Sequence, residues 1–217
     1  MAFAFDNTAA LDVLTAYNDA LWPAPAALSL GAFAAVCLAM FRFPAHDRLA
    51  SGLIATFWLW TGLLYCYAFL SRMTPLGYAF AFLFVVQAGL VARLGILGND
   101  IRFWMNNGSR HLAGILLIFY ALVAYPSLSA LLGHAFPATP TFGTPTPVTI
   151  FTLGMLLLTR APWPRILFAI PLLWTVVGTY FAIETRMRED LALIVAAALV
   201  LTMTPVEDDP DAAGVAR

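Results

Sequence analysis

From Pro75 to Leu97 the chain runs for 23 residues with one charged side chain, Arg93. A run of that length matches the roughly 30 Å hydrocarbon core of a bilayer. It is one of a series. Windows of about 20 apolar residues also fall at 24–43, 49–70, 112–132 and 163–183, and two shorter runs cover 147–159 and 191–204. Of the 217 residues, 62% are hydrophobic and only 11% charged. A single water-facing globule of that composition would leave more apolar surface than one core can hide. The fold class expected is an all-α integral membrane protein, a bundle of seven transmembrane helices, with six as the alternative.

The arginines set an orientation, because cytoplasmic loops collect positive charge. With the N-terminus outside, the inner loops and tail hold Arg42, Arg48, Arg93, Arg102, Arg110, Arg160, Arg165 and Arg217, against Arg72, Arg186 and Arg188 outside. Eight against three favours N-out and C-in, which an odd number of spans satisfies. The expected location is a membrane with a cytoplasmic inner face, crossed several times. Residues 1–23 contain Asp6, Asp12 and Asp19 and no basic residue, so they lack the basic start of a signal peptide. Leu11, Leu14, Tyr17, Asn18, Leu21 and Trp22 recur at helical spacing, which predicts an amphipathic helix on the outer membrane face. The bundle is expected over 24–204 and an acidic cytoplasmic tail over 205–217.

Several chemistries fall away. All 11 basic residues are Arg, so mechanisms that require a lysine, such as a Schiff base or a P-loop, are excluded. A net charge of −1 offers no basic excess for nucleic acid, and none is expected as a partner. Cys37 and Cys66 fall at different depths and are not expected to bridge. His46, His111 and His134 fall in loops on opposite sides with no HxxxH or HxH spacing, so neither a metal centre nor a cofactor is expected. No catalytic residue is assigned.

The most unusual stretch is HAFPATPTFGTPTPVTIFTLG, His134 to Gly154, with four prolines, six threonines and no formal charge. Its prolines and Gly143 make a rigid, irregular backbone. Thr146 and Pro147 are expected to start a helix, after which Thr146, Thr149 and Thr152 form a hydroxyl stripe. Irregular backbone at membrane depth survives only under protein cover or beside a wet cavity. The candidate ligand-binding residues are therefore His134, Thr139, Gly143, Thr146, Thr149 and Thr152, with Gln87 as the most central strongly polar side chain. A structural role competes for each: Thr hydroxyls bonded to carbonyls one turn back, and Gln87 as an interhelical hydrogen bond. His134, Asp19, Glu184, Glu189 and Asp190 fall on the same outer side and could supply titratable groups, while Glu189 and Asp190 could simply stabilise the start of the last helix.

YNDALWPAP (Tyr17 to Pro25), FPATPTFGTPTPVTIFTLG (Phe136 to Gly154) and IPLLW (Ile170 to Trp174) together resemble a family of uncharacterised bacterial membrane proteins, a domain of unknown function of about 200 residues. The resemblance implies a bacterial origin and brings no site residues. The leading expectation is a small channel or secondary carrier for a small solute or ion, with its site at the Pro/Thr segment. The alternative is an accessory or pigment- or quinone-binding subunit of a larger membrane complex. A membrane enzyme acting on lipid ranks third. Expected partners are the lipid bilayer and either further copies of the chain or other subunits.

Overall fold

In the computed structural model, residues 7–41, 43–106, 108–160 and 165–204 are described. Arg42, Trp163, Arg217, residues 1–6 and the acidic tail from 205 lie outside them. The described residues are helical, without strands. The helices are α1 Asn7–Leu21, α2 Ala24–Met40, α3 His46–Met73, α4 Leu76–Leu97, α5 Ser109–Leu131, α6 Pro145–Leu157, α7 Ile166–Thr185 and α8 Ala192–Met203, with a short 3-10 turn Arg188–Leu191 before α8.

A helix thus forms at each of the seven apolar runs, but not each is long enough to cross a bilayer. Four helices, α3, α4, α5 and α7, are long and apolar enough, or five if α1 and α2, bent by 85° to each other, make one broken span. The expected count of seven crossings does not follow from length. With 13 residues α6 rises about 20 Å and with 12 residues α8 about 18 Å, both short of the roughly 30 Å core.

The shortest central element is the best covered. Every residue of α6 is buried, enclosed by α3, α5, α7 and α8. Gly114 of α5 and Gly154 of α6 make this enclosure possible: a Cβ on either would lie 2.8 Å from the other's carbonyl oxygen. Small residues let the two backbones meet. The outer surface is apolar instead, with Leu30, Phe82, Val176 and Leu201 exposed, a match for hydrocarbon surroundings. Cys37 is part of this exposed face, while Cys66 is buried; neither is bridged.

The bundle has two unlike ends. At one, Arg160 N–H donates to Arg102 O (2.9 Å), Trp104 N–H to Leu158 O (2.7 Å), Phe103 N–H to Asp47 Oδ1 (2.8 Å) and the Arg110 guanidinium to Thr159 O. Arg48 and Arg165 open helices at that end. At the other, α1 lies over the helix ends. Its Leu14, Tyr17 and Asn18 are buried, and Asn18 Nδ2 donates to Pro137 O and Thr139 O, each at 2.7 Å. Far from being a detached surface helix, α1 is tied into the Pro/Thr loop.

Candidate functional site

Two carboxylates sit side by side in the turn Arg188–Leu191, at the α1 end of the bundle. Neither caps its own helix: no side-chain cap bond forms at the turn or at α8. Each is spent on a different neighbour. Glu189 is fully buried, with Oε1 2.7 Å from His134 Nδ1 and accepting from Ser129 Oγ at 3.1 Å. Its Oε2 is buried with no partner. Ser129 also meets Thr139 Oγ1 at 3.0 Å, so the histidine loop and the end of α5 close over Glu189 together. Asp190 accepts from Tyr125 OH and from the Thr146 hydroxyl.

Burial pushes the Asp190 carboxyl up to about 7; Glu189 adds to the rise, while the bonds from Tyr125 and Thr146 and the nearby His134 oppose it. That range allows the group to exchange a proton near neutrality. The cause is physical rather than chemical: an apolar setting disfavours the charged form more than two hydroxyl donors favour it.

Local sequence sets this geometry. Helix α5 turns wide, with π-type bonding, over Tyr120–Ala124. That brings Tyr120 and Tyr125 onto one face, where Tyr120 OH donates to Glu189 O at 2.7 Å and Tyr125 OH reaches Asp190. Gly133, with φ +94°, ends α5 and turns the chain so that His134 N–H donates to Ser129 O at 3.0 Å. Gly143 needs its own positive φ of +108°, and a Cβ there would lie 2.7 Å from Tyr17 OH.

Helix α6 starts two residues before the expected point. Thr144 is its N-cap and donates to Thr141 O instead of capping the helix. Prolines at positions 145 and 147 both fit the first turn, where an N–H has no intrahelical partner. Thr146, Thr149 and Thr152 are buried and run along α6, but they differ in use. Thr146 meets Asp190, Thr149 Oγ1 is buried without a partner, and Thr152 Oγ1 accepts from Trp58 Nε1 at 2.9 Å. None of the three has a bond to a carbonyl one turn back among the described contacts.

Two cavities lie beside this cluster, Asp190 lining one and His134 the other. A small one, about 80 Å³, is lined by Tyr65, Tyr125, Thr146, Trp174 and Asp190, and Trp174 Nε1 is buried there without a partner. A wider groove, about 420 Å³, is lined by Trp22, Ser29, Phe136, Thr139 and His134. Tyr125 and Pro140 border both, forming the partition.

Of the expected residues, His134, Thr139 and Thr146 come together here, and Gly143 shapes the loop above. Gln87 is elsewhere: its Nε2 donates to Leu167 O at 2.9 Å, near the start of α7, some 18 residues or about 27 Å along the helix from Thr185. Glu184 and Asp19 are exposed and take no part. The sequence reading did not place Tyr120, Tyr125, Ser129 and Asn18 at the site. The spacing of five between the tyrosines matches no α-helical face, so only the wide turn reveals the pair.

The described residues thus define an all-helical bundle with four or five membrane-length apolar helices and a buried acidic site at one end. The chain belongs to a family of unknown function, DUF6064, whose model matches residues 7–209. No curated protein and no solved structure matches it.

Proposed function

We propose that the protein is a small proton-linked carrier of the bacterial inner membrane, with its N-terminus outside, its C-terminus inside, and all seven apolar helical segments running alternately across. The basic end of the bundle, with Arg48, Arg93, Arg102, Arg110, Arg160 and Arg165, supports that orientation.

The observation that carries the transport reading is the juxtaposition of two pockets: Asp190, titrating near neutrality, lines a small one of about 80 Å³, and His134, paired with Glu189, lines a groove of about 420 Å³, with Tyr125 and Pro140 between them. Buried ionisable groups at such points are costly, and they are retained where protons or ions pass. The small cavity holds about two or three waters, which fits a small ion or a solute of a few heavy atoms. Thr146 lines it, and Thr149, with its unpartnered hydroxyl, is the next polar station along α6.

The test uses the purified chain in vesicles loaded with a pH-sensitive dye and challenged with small amines and alkali cations. Wild-type protein should move protons with at least one probe, and Asp190→Asn and Glu189→Gln should each abolish that flux. Gln87→Leu should leave it. Vesicles that behave like empty ones for every probe would overturn the reading.

The aromatic walls of the groove favour a second reading, a quinone-binding accessory subunit with His134 as the headgroup partner. Mild extraction would then recover other polypeptides and a bound quinone; a pure, colourless chain counts against it.

A further inference from the structure

At the opposite end of the bundle, far from the carboxylates, the structure holds a second polar site. Helix α5 opens with Gly108 as its N-cap, and no side chain caps it. The first-turn amides of a helix have no intrahelical acceptor, and the dipole makes that end attractive to anions. By itself this would be an ordinary helix start. The third helical residue changes that. His111 is only 3% exposed, and its Nε2 is buried with no partner. The ring bonds to the Trp104 backbone, and since Nε2 is unpartnered, that bond runs from Nδ1. A buried imidazole nitrogen without a partner calls for a ligand.

His111 lines a groove of about 490 Å³ whose other walls are Trp104, Asn106, Gly108, Ser109, Arg110 and Arg160. Three of the described lining residues are basic and none is acidic. Arg110 is anchored by its bond to Thr159 O, and the Arg160 guanidinium lies 5.2 Å over the Trp104 ring, so both cations are held beside the helix start. Asp47, at the same end, is engaged with Phe103 N–H.

We propose that this groove binds a phosphate group, held by Arg110, Arg160, the first-turn amides of α5 and His111 Nε2. Arginine suits tetrahedral oxyanions because its fork of donors reaches two oxygens at once. His111 Nε2 accepts from a protonated phosphate oxygen or, when itself protonated, donates to a bare one. The phosphate can come from an anionic phospholipid headgroup or from a soluble phosphate ester. The site stands whether or not the other end carries a solute.

The experiment has two arms on the purified full chain. Native mass spectrometry in micelles with equal phosphatidylglycerol and phosphatidylcholine reads lipid retention, and calorimetric titration with inorganic phosphate reads soluble binding. Retention of one phosphatidylglycerol per chain assigns a lipid headgroup; a phosphate isotherm without lipid preference assigns a soluble ester. In either arm Arg160→Gln, at an exposed position, and His111→Gln should each lower occupancy about tenfold. Binding of neither probe, or binding unchanged in both variants, would overturn the proposal.

Discussion

Tyr120 and Tyr125 are five residues apart on α5 yet share one face, with ring centroids 6.0 Å apart. In a regular α-helix that spacing would set them about 140° apart. The wide turn between them is what lets one helix hold both the Glu189 backbone and the Asp190 carboxyl. π-turns occur often at functional sites, and this one gives a reason: two hydroxyls are needed on adjacent residues of one partner turn.

Tyr125→Phe removes the donor that holds Asp190 down. The Asp190 carboxyl should then titrate above its present value of about 7. The cost in stability, about 1.5–3 kcal/mol for a hydrogen bond to a charged group, should be felt at pH 8, where the carboxylate is ionised, and shrink at pH 5. Infrared titration of the carboxyl band checks the direction; a band that titrates at the same or lower pH in the variant contradicts the assignment.

Stability itself should depend on pH through Asp190. Its folded value is raised from 3.8 to about 7, so between those values the folded chain binds the proton that the unfolded chain has released. Its contribution is therefore most favourable below about pH 4, falls as pH rises, and reaches its full penalty above about 7, at most a few kcal/mol. Glu189, His134, Tyr125, Tyr120 and Tyr65 are titratable groups around it. Melting in detergent from pH 5 to 8 should show a falling midpoint, and Asp190→Asn should flatten that slope.

His134→Ala should be costly for a different reason. It leaves the Glu189 carboxylate, fully buried, with Ser129 as its side-chain partner. Breaking a buried pair from one side costs about 3–5 kcal/mol. Adding Glu189→Gln to that variant should recover part of the loss, since the orphaned charge goes with it. A double-mutant cycle that sums to simple additivity would mean that the two residues do not act as a pair.

Much of the architecture was legible in the chain, because hydrophobic runs report burial in apolar surroundings directly. Each of the seven expected runs is helical, and the stretch before α6 is irregular, with Gly143 at a positive φ. Crossing number was not legible, since α6 is apolar because α3, α5, α7 and α8 enclose it, and enclosure by protein reads the same in sequence as enclosure by lipid. The site was half legible. His134, Thr139 and Thr146 lie in one conspicuous segment, whereas Tyr125, Ser129 and Glu189 reach them only through a wide turn and a helix end 50 residues or more away. Gln87 stood out by polarity alone, and polarity does not tell a helix tether from a site.

The threonines of α6 should separate by function. Thr152→Val leaves the Trp58 Nε1–H buried with no acceptor, a loss of about 1–3 kcal/mol, and adding Trp58→Phe should restore part of it. Thr146→Val should instead reduce proton flux, since its hydroxyl serves Asp190 and lines the smaller cavity. Equal effects of both on flux would place the path along the whole stripe.

The contact between α5 and α6 sets the last expectation. Gly154→Ala drives a Cβ to 2.8 Å from Gly114 O and 3.1 Å from Ile118 N, both backbone atoms that cannot swing aside. Overpacking of this kind costs about 1–3 kcal/mol, and here it should push α6 away from α5 and loosen the Asp190–Thr146–Tyr125 contacts at its end. Gly89→Ala on α4 is the control: nothing lies within 4 Å of its Cβ, so it should be neutral or stabilise by up to about 1 kcal/mol. Thermal unfolding of the two variants side by side decides the matter. A Gly154→Ala protein as stable as Gly89→Ala would mean that α5 and α6 do not meet backbone to backbone, and that the buried site rests on some other support.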